Sequence, residues 1–382
     1  MMPKGWQASQ IGDIALFSSG GTPSKQNNAF WNGEEPWISG KDLKTHYLKS
    51  SIDTLSLDGF QIAKKAPKGS SLILVRGMTL LKDFPVGYAT RELAFNQDIK
   101  ALTPKSNIDG LFLSFLLSGN KHFIRQLVST AGHGTGRLDT ESIKEYPVNI
   151  PPLAEQQKIA KILSTWDKAI STTEHLIDNS KQQKKALMQQ LLTGKKRLLD
   201  GSGKPFDGEW EEVKLGDISY ITTGSSNRED STLVGEYAFF DRSEDIRTSS
   251  RYLFDSEAVI VPGEGQDFVP KHFHGKFDLH QRTYAIMELK SAIGKFLFYY
   301  IGYYRHYFLS QAVGSTVKSL RLPMFQKMPI KLPSEFEQKK IAAVLINADK
   351  EIELLEQQLA DLKQEKKALM QQLLTGKRRV KI

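Results

Sequence analysis

From Ile341 onward, apolar residues recur in alternating steps of four and three: Ile341, Leu345, Ala348, Ile352, Leu355, Leu359 and Leu362, then Leu369 and Leu373, interrupted only by Lys366. A seam of that period, held for about four to five heptads, predicts a helix packed along another helix. The same register, more polar in its middle, runs through Ile159, Leu163, Trp166, Ile170, Thr173, Ile177, Ser180, Lys184, Leu187 and Leu191. Pro151-Pro152 and Pro333-Ser334 mark the starts, with Ser334 and Glu337 at capping-box spacing. Thr193-Gly194 and Thr375-Gly376 mark the ends, where glycine suits a left-handed cap. Each helix then covers roughly 40 residues, about 60 Å at the α-helical rise. Neither seam can stay in water, so the two helices are expected to pair with each other, antiparallel.

Elsewhere the texture changes to short β-rich runs separated by Gly, Pro, Ser and Asn, as at 71–75, 94–102, 258–261 and 283–289. One helix is expected late in each stretch, near 111–128 and 293–313. The most apolar run, 292–304, is broken by Gly294, Lys295 and Gly302 and falls short of the ~18 apolar residues of a membrane helix. It reads as a buried helix.

The chain also repeats itself. Residues 181–195 read KQQKKALMQQLLTGK and residues 363–377 read KQEKKALMQQLLTGK, a shift of 182 with one difference. At that shift Glu155-Gln156 falls opposite Glu337-Gln338, and Gly132, Leu138 and Pro147 opposite Gly314, Leu320 and Pro329. Near the starts the shift is 204: Trp6, Ile11-Gly12-Asp13-Ile14 and Gly20 match Trp210, Leu215-Gly216-Asp217-Ile218 and Gly224, so the second copy is 22 residues shorter in its body. Matched edges around a diverged body suggest two modules doing one job on different targets. The fold expected is α+β: two pseudo-twofold-related α/β modules, 1–150 and 210–332, separated by a long antiparallel coiled coil of two helices. The first helix is placed at 151–195, a linker at 196–209, and the second helix with its basic tail at 333–382.

Composition narrows the chemistry. The 382 residues include no cysteine, which removes disulfides, thiolate metal sites and a cysteine nucleophile, and fits a reducing cytoplasm. The 52 Lys and Arg against 43 Asp and Glu leave +9, an excess that favours a polyanionic partner. No signal-peptide pattern opens the chain, so a cytoplasmic protein without a membrane partner is expected. There is no phosphate-binding P-loop. The triplet His272, His274 and His280 lacks metalloprotease spacing, and no metal site is expected. The Asn/Asp-Pro-Pro-Tyr signature of DNA amino-methyl transfer is also missing.

Candidate contacts to nucleic acid lie in the loops. In the first module they are Lys25, Trp37, Lys41, Arg76, Arg91, His133, Thr135 and Arg137. In the second they are Arg228, Arg242, Lys271, Arg282, Thr316, Lys318 and Arg321. Arginine and lysine suit guanine edges and phosphates, and nearby glycines let the backbone approach. The alternative reading of the charged ones is a solvated surface charge. The basic helix ends, with Lys184, Lys185, Lys195, Lys366, Lys367 and Lys377, are candidate docking positions for a partner subunit, although the helix dipole alone favours cations there.

Together these features resemble the specificity subunits of type I restriction–modification systems. The resemblance is carried by the [IL]GDI openings, Gly20-Gly21-Thr22-Pro23-Ser24, Pro36-Trp37-Ile38-Ser39-Gly40-Lys41-Asp42-Leu43, Asn96-Gln97-Asp98, and both P-x-x-x-E-Q-x-K-I-A and LLTGK segments. The second half departs from it: Phe239-Phe240-Asp241-Arg242-Ser243-Glu244-Asp245-Ile246 replaces the Pro-Trp segment, and His280-Gln281 replaces Asn96-Gln97. The resemblance implies a non-catalytic chain with no cofactor of its own, in which each target-recognition domain reads half of a gapped site on double-stranded DNA. It implies two docked methyltransferase subunits that use S-adenosylmethionine, and restriction subunits that use ATP. The competing reading is a coiled-coil adaptor that binds proteins and has no DNA specificity.

Overall fold

Both seams fold as single helices, Leu153–Leu191 and Glu335–Leu373, each 39 residues long. The computed structural model describes residues 3–131 and 134–381. The chain divides into two units: residues up to Thr173 together with those from Gln358 onward, and residues Glu174–Gln357. Each long helix therefore contributes its first half to one unit and its last half to the other.

Within the first unit the helical segments run antiparallel, as two ion pairs establish. Lys366 joins Asp167, and Arg379, beyond the second helix, joins Glu155 at 2.7 Å. The second unit repeats the arrangement with Lys184 on Asp349 and Arg197 on Glu337 at 2.7 Å. Both seams are buried or half-buried along their lengths, with Ile159, Leu163, Ile341 and Leu345 essentially sealed. Each such leucine contributes about 2 kcal/mol of burial. The two seam lysines, Lys184 and Lys366, are each neutralised by an aspartate of the facing helix.

The helix starts are pinned by one glutamine each. Gln156 Oε1 accepts from the Asp109 N–H at 2.9 Å while its Nε2 donates to the carbonyls of Asn107 and Pro151. Gln338 does the same with the Ile293 N–H and the carbonyls of Ser291 and Pro333. Ser334 Oγ accepts from the Glu337 N–H at 3.3 Å, as capping spacing requires, but the Glu337 carboxylate turns to Arg197 instead of closing the box.

Each module body is a mostly antiparallel sheet backed by a helix. In the first unit a five-stranded sheet runs in the order Ala15–Ser19, Ile99–Pro104, Ser71–Leu74, Val86–Ala89, Tyr47–Leu48, beside a four-stranded one centred on Trp31–Ile38 and Leu93–Phe95. The second unit has a six-stranded sheet ordered Tyr220–Thr223, Thr283–Met287, Phe254–Pro262, Lys271–Leu279, Tyr237–Phe240, Arg247–Ser249. The expected late helices are each split in two, Gly110–Gly119 with Lys121–Arg125 and Gly294–Tyr303 with His306–Gln311. The expected strand at 94–102 is likewise interrupted, because Asn96-Gln97-Asp98 makes a turn between Leu93–Phe95 and Ile99–Pro104.

The matched glycines near the starts mark a close backbone crossing. A Cβ on Gly20 would lie 2.1 Å from the Asn96 carbonyl oxygen, and one on Gly224 1.7 Å from that of Leu279. Entry and exit of each body are closed by a two-stranded ribbon, Gln7–Gln10 on Pro147–Ile150 and Glu211–Lys214 on Pro329–Leu332. No described helix is long and apolar enough to cross a membrane.

Candidate nucleic-acid interface

In the first unit the turn at Asn96-Gln97-Asp98 is pinned by its own residues: Asn96 Oδ1 accepts from the Asp98 N–H at 3.2 Å, and the Asp98 carbonyl from the Val75 N–H at 2.8 Å. Val75 leads into Arg76-Gly77, which pairs with the strand Thr135–Arg137. These connections bring Arg76, Gln97, Lys100 and Arg137 around one cleft of about 260 Å³. Gln97 is held by the Thr22 hydroxyl, which donates to its Oε1 at 2.5 Å. The carboxylate of Asp139, also in the wall, accepts from the Ser142 and Glu141 N–H groups, which hold it below its ordinary pKa. That carboxylate is occupied in capping a short helix, so the cleft presents a surplus of positive charge.

The second unit builds its counterpart from Arg228, Arg242, Gln281, Arg282, Asp241 and Glu264, a cleft of about 220 Å³ that also includes His280. Gln281 Nε2 donates to Asn227 Oδ1 at 2.5 Å, and Arg282 is ion-paired with Glu264. Burial lowers the His280 pKa despite the pull of Asp241, so the ring is neutral near pH 7. Its Nδ1 accepts the Arg282 N–H at 3.1 Å, which leaves Nε2 as the protonated nitrogen. Asp241 is buried at 4% exposure and accepts the Ser243 N–H at 2.7 Å.

The clefts therefore gather Arg76 and Arg137, and Arg228, Arg242 and Arg282, from the candidates named on sequence grounds. Lys25 and Lys41 are exposed but are not part of the cleft wall, and Arg91 is exposed and bound to Glu35 at 2.5 Å. Thr135 lies on the strand beside Arg137 with its side chain outside the cleft. Lys271 donates to the Ser243 carbonyl in an adjoining hollow that shares Arg242 and Glu264 with the cleft, and burial lowers its pKa. Thr316, Lys318 and Arg321 are exposed and do not line the cleft, although Lys318 lies on the strand that pairs with Glu264-Gly265 at its wall. His133 lies outside the described residues.

Trp37 requires correction. It is 4% exposed, its indole N–H donates to the Gly21 carbonyl at 3.0 Å, and its ring packs edge-on against Trp31. It is a core residue with no face left for a base. Gln97, Lys100, Glu264 and Gln281 were absent from the candidate set. The glutamines are marked by the alignment of Asn96-Gln97 with His280-Gln281, whereas Glu264 gives no signal because an arginine occupies the matching place. Among the described residues no three His, Asp or Glu side chains converge on a possible metal site; His272 instead pairs with Glu257 at 2.7 Å.

The docking candidates also divide. Lys184 and Lys366 are tied to Asp349 and Asp167 and lie over the rings of Tyr299 and Phe115, so they serve the helix pairing and not an outer face. Lys185, Lys195, Lys367 and Lys377 are exposed. Lys367 and Lys377 edge a groove of about 870 Å³ in the first unit, whose floor includes Met370 and Leu374.

The two-module organisation has counterparts among known proteins. The model of the type I restriction modification DNA specificity domain matches residues 3–180 and again 207–364. The chain is 32% identical over 248 residues to the MjaIX specificity subunit of Methanocaldococcus jannaschii, covering 59% of this chain and 54% of that one. It is 31% identical over 160 residues to the EcoR124I/EcoR124II specificity subunit of Escherichia coli, covering 41% and 40%. The chain thus matches about half the length of the first of these relatives and two-fifths of the second. A further M. jannaschii protein, the MjaVIII specificity subunit, is 24% identical across 100% of this chain and 94% of its own. The fold is shared with the type I restriction–modification S subunit of M. genitalium, at a TM-score of 0.64, 15% identity and coverage of 98% and 99%.

Proposed function

The chain belongs to the type I restriction–modification DNA specificity family, and on that footing we propose that each of its two clefts reads one half of a bipartite, gapped site on double-stranded DNA. The observation that carries this reading is the repetition of the cleft itself. Each unit places a glutamine at the same turn, held by a neighbouring side chain, among arginines that reach outward. Guanidinium and amide groups are the side chains that pair with guanine and adenine edges in the major groove. Bodies that differ around a common frame suit two different half-sites. The formal +9 supplies the sequence-independent attraction to phosphate.

In this reading the long helices set the gap between half-sites, and the exposed Lys185, Lys195, Lys367 and Lys377 face partner subunits. Methyl transfer with S-adenosylmethionine, and cleavage driven by ATP, belong to those partners, and the chain itself is not an enzyme. The test is selection from a randomised duplex library by the full chain in its native assembly. Enrichment of one two-part motif with a fixed spacer supports the proposal. Retention that is independent of sequence and insensitive to salt would favour the protein adaptor instead.

A further inference from the structure

Two matching positions carry opposite charge in the two units. Leu138 donates its N–H to the Val75 carbonyl at 2.9 Å, and Leu320 to the Gly263 carbonyl at 2.8 Å, so Val75 and Gly263 hold the same place. The residue that follows is Arg76 in one unit and Glu264 in the other. On the adjoining turn, the Val75 N–H meets the Asp98 carbonyl at 2.8 Å and the Gly263 N–H meets the Arg282 carbonyl at 2.8 Å, so Asp98 and Arg282 also correspond. The first unit therefore has a cation on the strand and an anion on the turn, and the second has the reverse.

Their states differ too. Glu264, only 17% exposed, grips the guanidinium of Arg282, which is 61% exposed. In the first unit Asp98 lies outside the cleft lining and accepts instead from the Asn96 amide at 3.4 Å, and Arg76 makes no ion pair among the described residues. A single carboxylate contact at Nη1 restricts the guanidinium while leaving its other N–H groups available to O6 and N7 of guanine.

We infer that guanine is read in both clefts by an arginine entering from opposite walls, Arg76 from the strand and Arg282 from the turn, with Glu264 the positioning residue for Arg282. This deepens, and rests on, the DNA reading proposed above. Glu264 is thereby given a role that a plain neutralising charge would lack, because its loss should alter base preference and not merely affinity.

The experiment is library selection by the full chain in its native assembly, comparing wild type with Arg76→Ala, Arg282→Ala, Arg282→Lys, Glu264→Ala, Glu264→Gln and the Glu264→Ala/Arg282→Ala pair. Arg282→Ala and Arg282→Lys should each reduce guanine preference about tenfold at a single position of one half-site. Arg76→Ala should do so only in the other half. Glu264→Ala should mimic Arg282→Ala at the same position, the double variant should be no worse than the single, and Glu264→Gln should fall between. A uniform loss across all sequences, or an unchanged preference, overturns the inference for that arginine. Additive effects of the two second-cleft substitutions overturn the role of Glu264. If the wild-type chain enriches no motif at all, the underlying DNA reading fails instead.

Discussion

The guanidinium of Arg379 clasps the carboxylate of Glu155, 224 positions earlier, with Nε and Nη2 at 2.7 and 2.8 Å. The same bidentate pair recurs between Arg197 and Glu337, both bonds at 2.7 Å. In each case the arginine of one repeat closes on the glutamate of the other, so each unit is sealed by the tail of the copy it does not begin. Both carboxylates are 1% exposed. Arg197→Ala strips Glu337 of its counter-charge and should destabilise the fold by about 2 kcal/mol, below the usual cost for a fully buried pair because Arg197 keeps some solvent contact. Arg379→Ala should act in the same direction. An unchanged midpoint in urea denaturation of either variant would refute the assignment.

The two terminal glycines offer a graded comparison. Gly194 and Gly376 have φ of 70° and 68°, where a side chain is strained. An added Cβ meets only Trp210 at 3.5 Å in the first case but comes within 2.3 Å of Pro3 in the second. Gly194→Ala should therefore cost about 1 kcal/mol, and Gly376→Ala distinctly more. Thermal melts that rank them the other way would count against this packing.

Burial holds the His46 imidazole at about 4, well below its ordinary 6.5, against the pull of Asp167 and with a smaller contribution from Lys366. The ring stacks on Phe115 at 4.9 Å and has the Ser114 hydroxyl at 3.1 Å. The unfolded chain therefore takes up this proton first. Stability is unaffected by the residue above pH 6.5, declines as pH falls, and has lost about 3 kcal/mol once pH is below 4. His46→Gln should flatten that part of the profile relative to wild type, and parallel profiles for the two proteins would rule it out.

Position relative to the cleft distinguishes two arginines that look alike in sequence. Arg137 lines the first cleft, while Arg321 stands outside the second. Arg137→Ala should weaken binding of one half-site variant series by about 1–3 kcal/mol. Arg321→Ala should change affinity little, or equally for all sequences. Mobility-shift titrations at two salt concentrations separate these outcomes, because a lost phosphate contact also lowers the salt slope by about one.

The helices were legible because a heptad seam is a strong local signal, and even its flaws were informative. A lysine on the seam at Lys184 or Lys366 requires an acid opposite, which Asp349 and Asp167 supply. The clefts were harder to read, since each joins residues far apart in sequence, such as Arg76 with Arg137 or Arg228 with Arg282, through turns that have no period. Trp37 was misassigned for a related reason. An aromatic among Gly, Ser and Lys resembles a loop contact, yet it falls at the buried end of the strand Trp31–Ile38. Glu264 is not legible in the sequence, because a carboxylate inside a basic patch becomes meaningful only beside its arginine partner, Arg282.

The ribbons Gln7–Gln10 with Pro147–Ile150 and Glu211–Lys214 with Pro329–Leu332 bring the way in and the way out of each body to adjacent hydrogen-bonded strands. Whatever is enclosed can then grow, shrink or be exchanged without displacing the neighbouring backbone, and this is how the second body comes to be 22 residues shorter on a gateway of the same register. Evolution could thus re-address the molecule cassette by cassette, leaving its frame untouched.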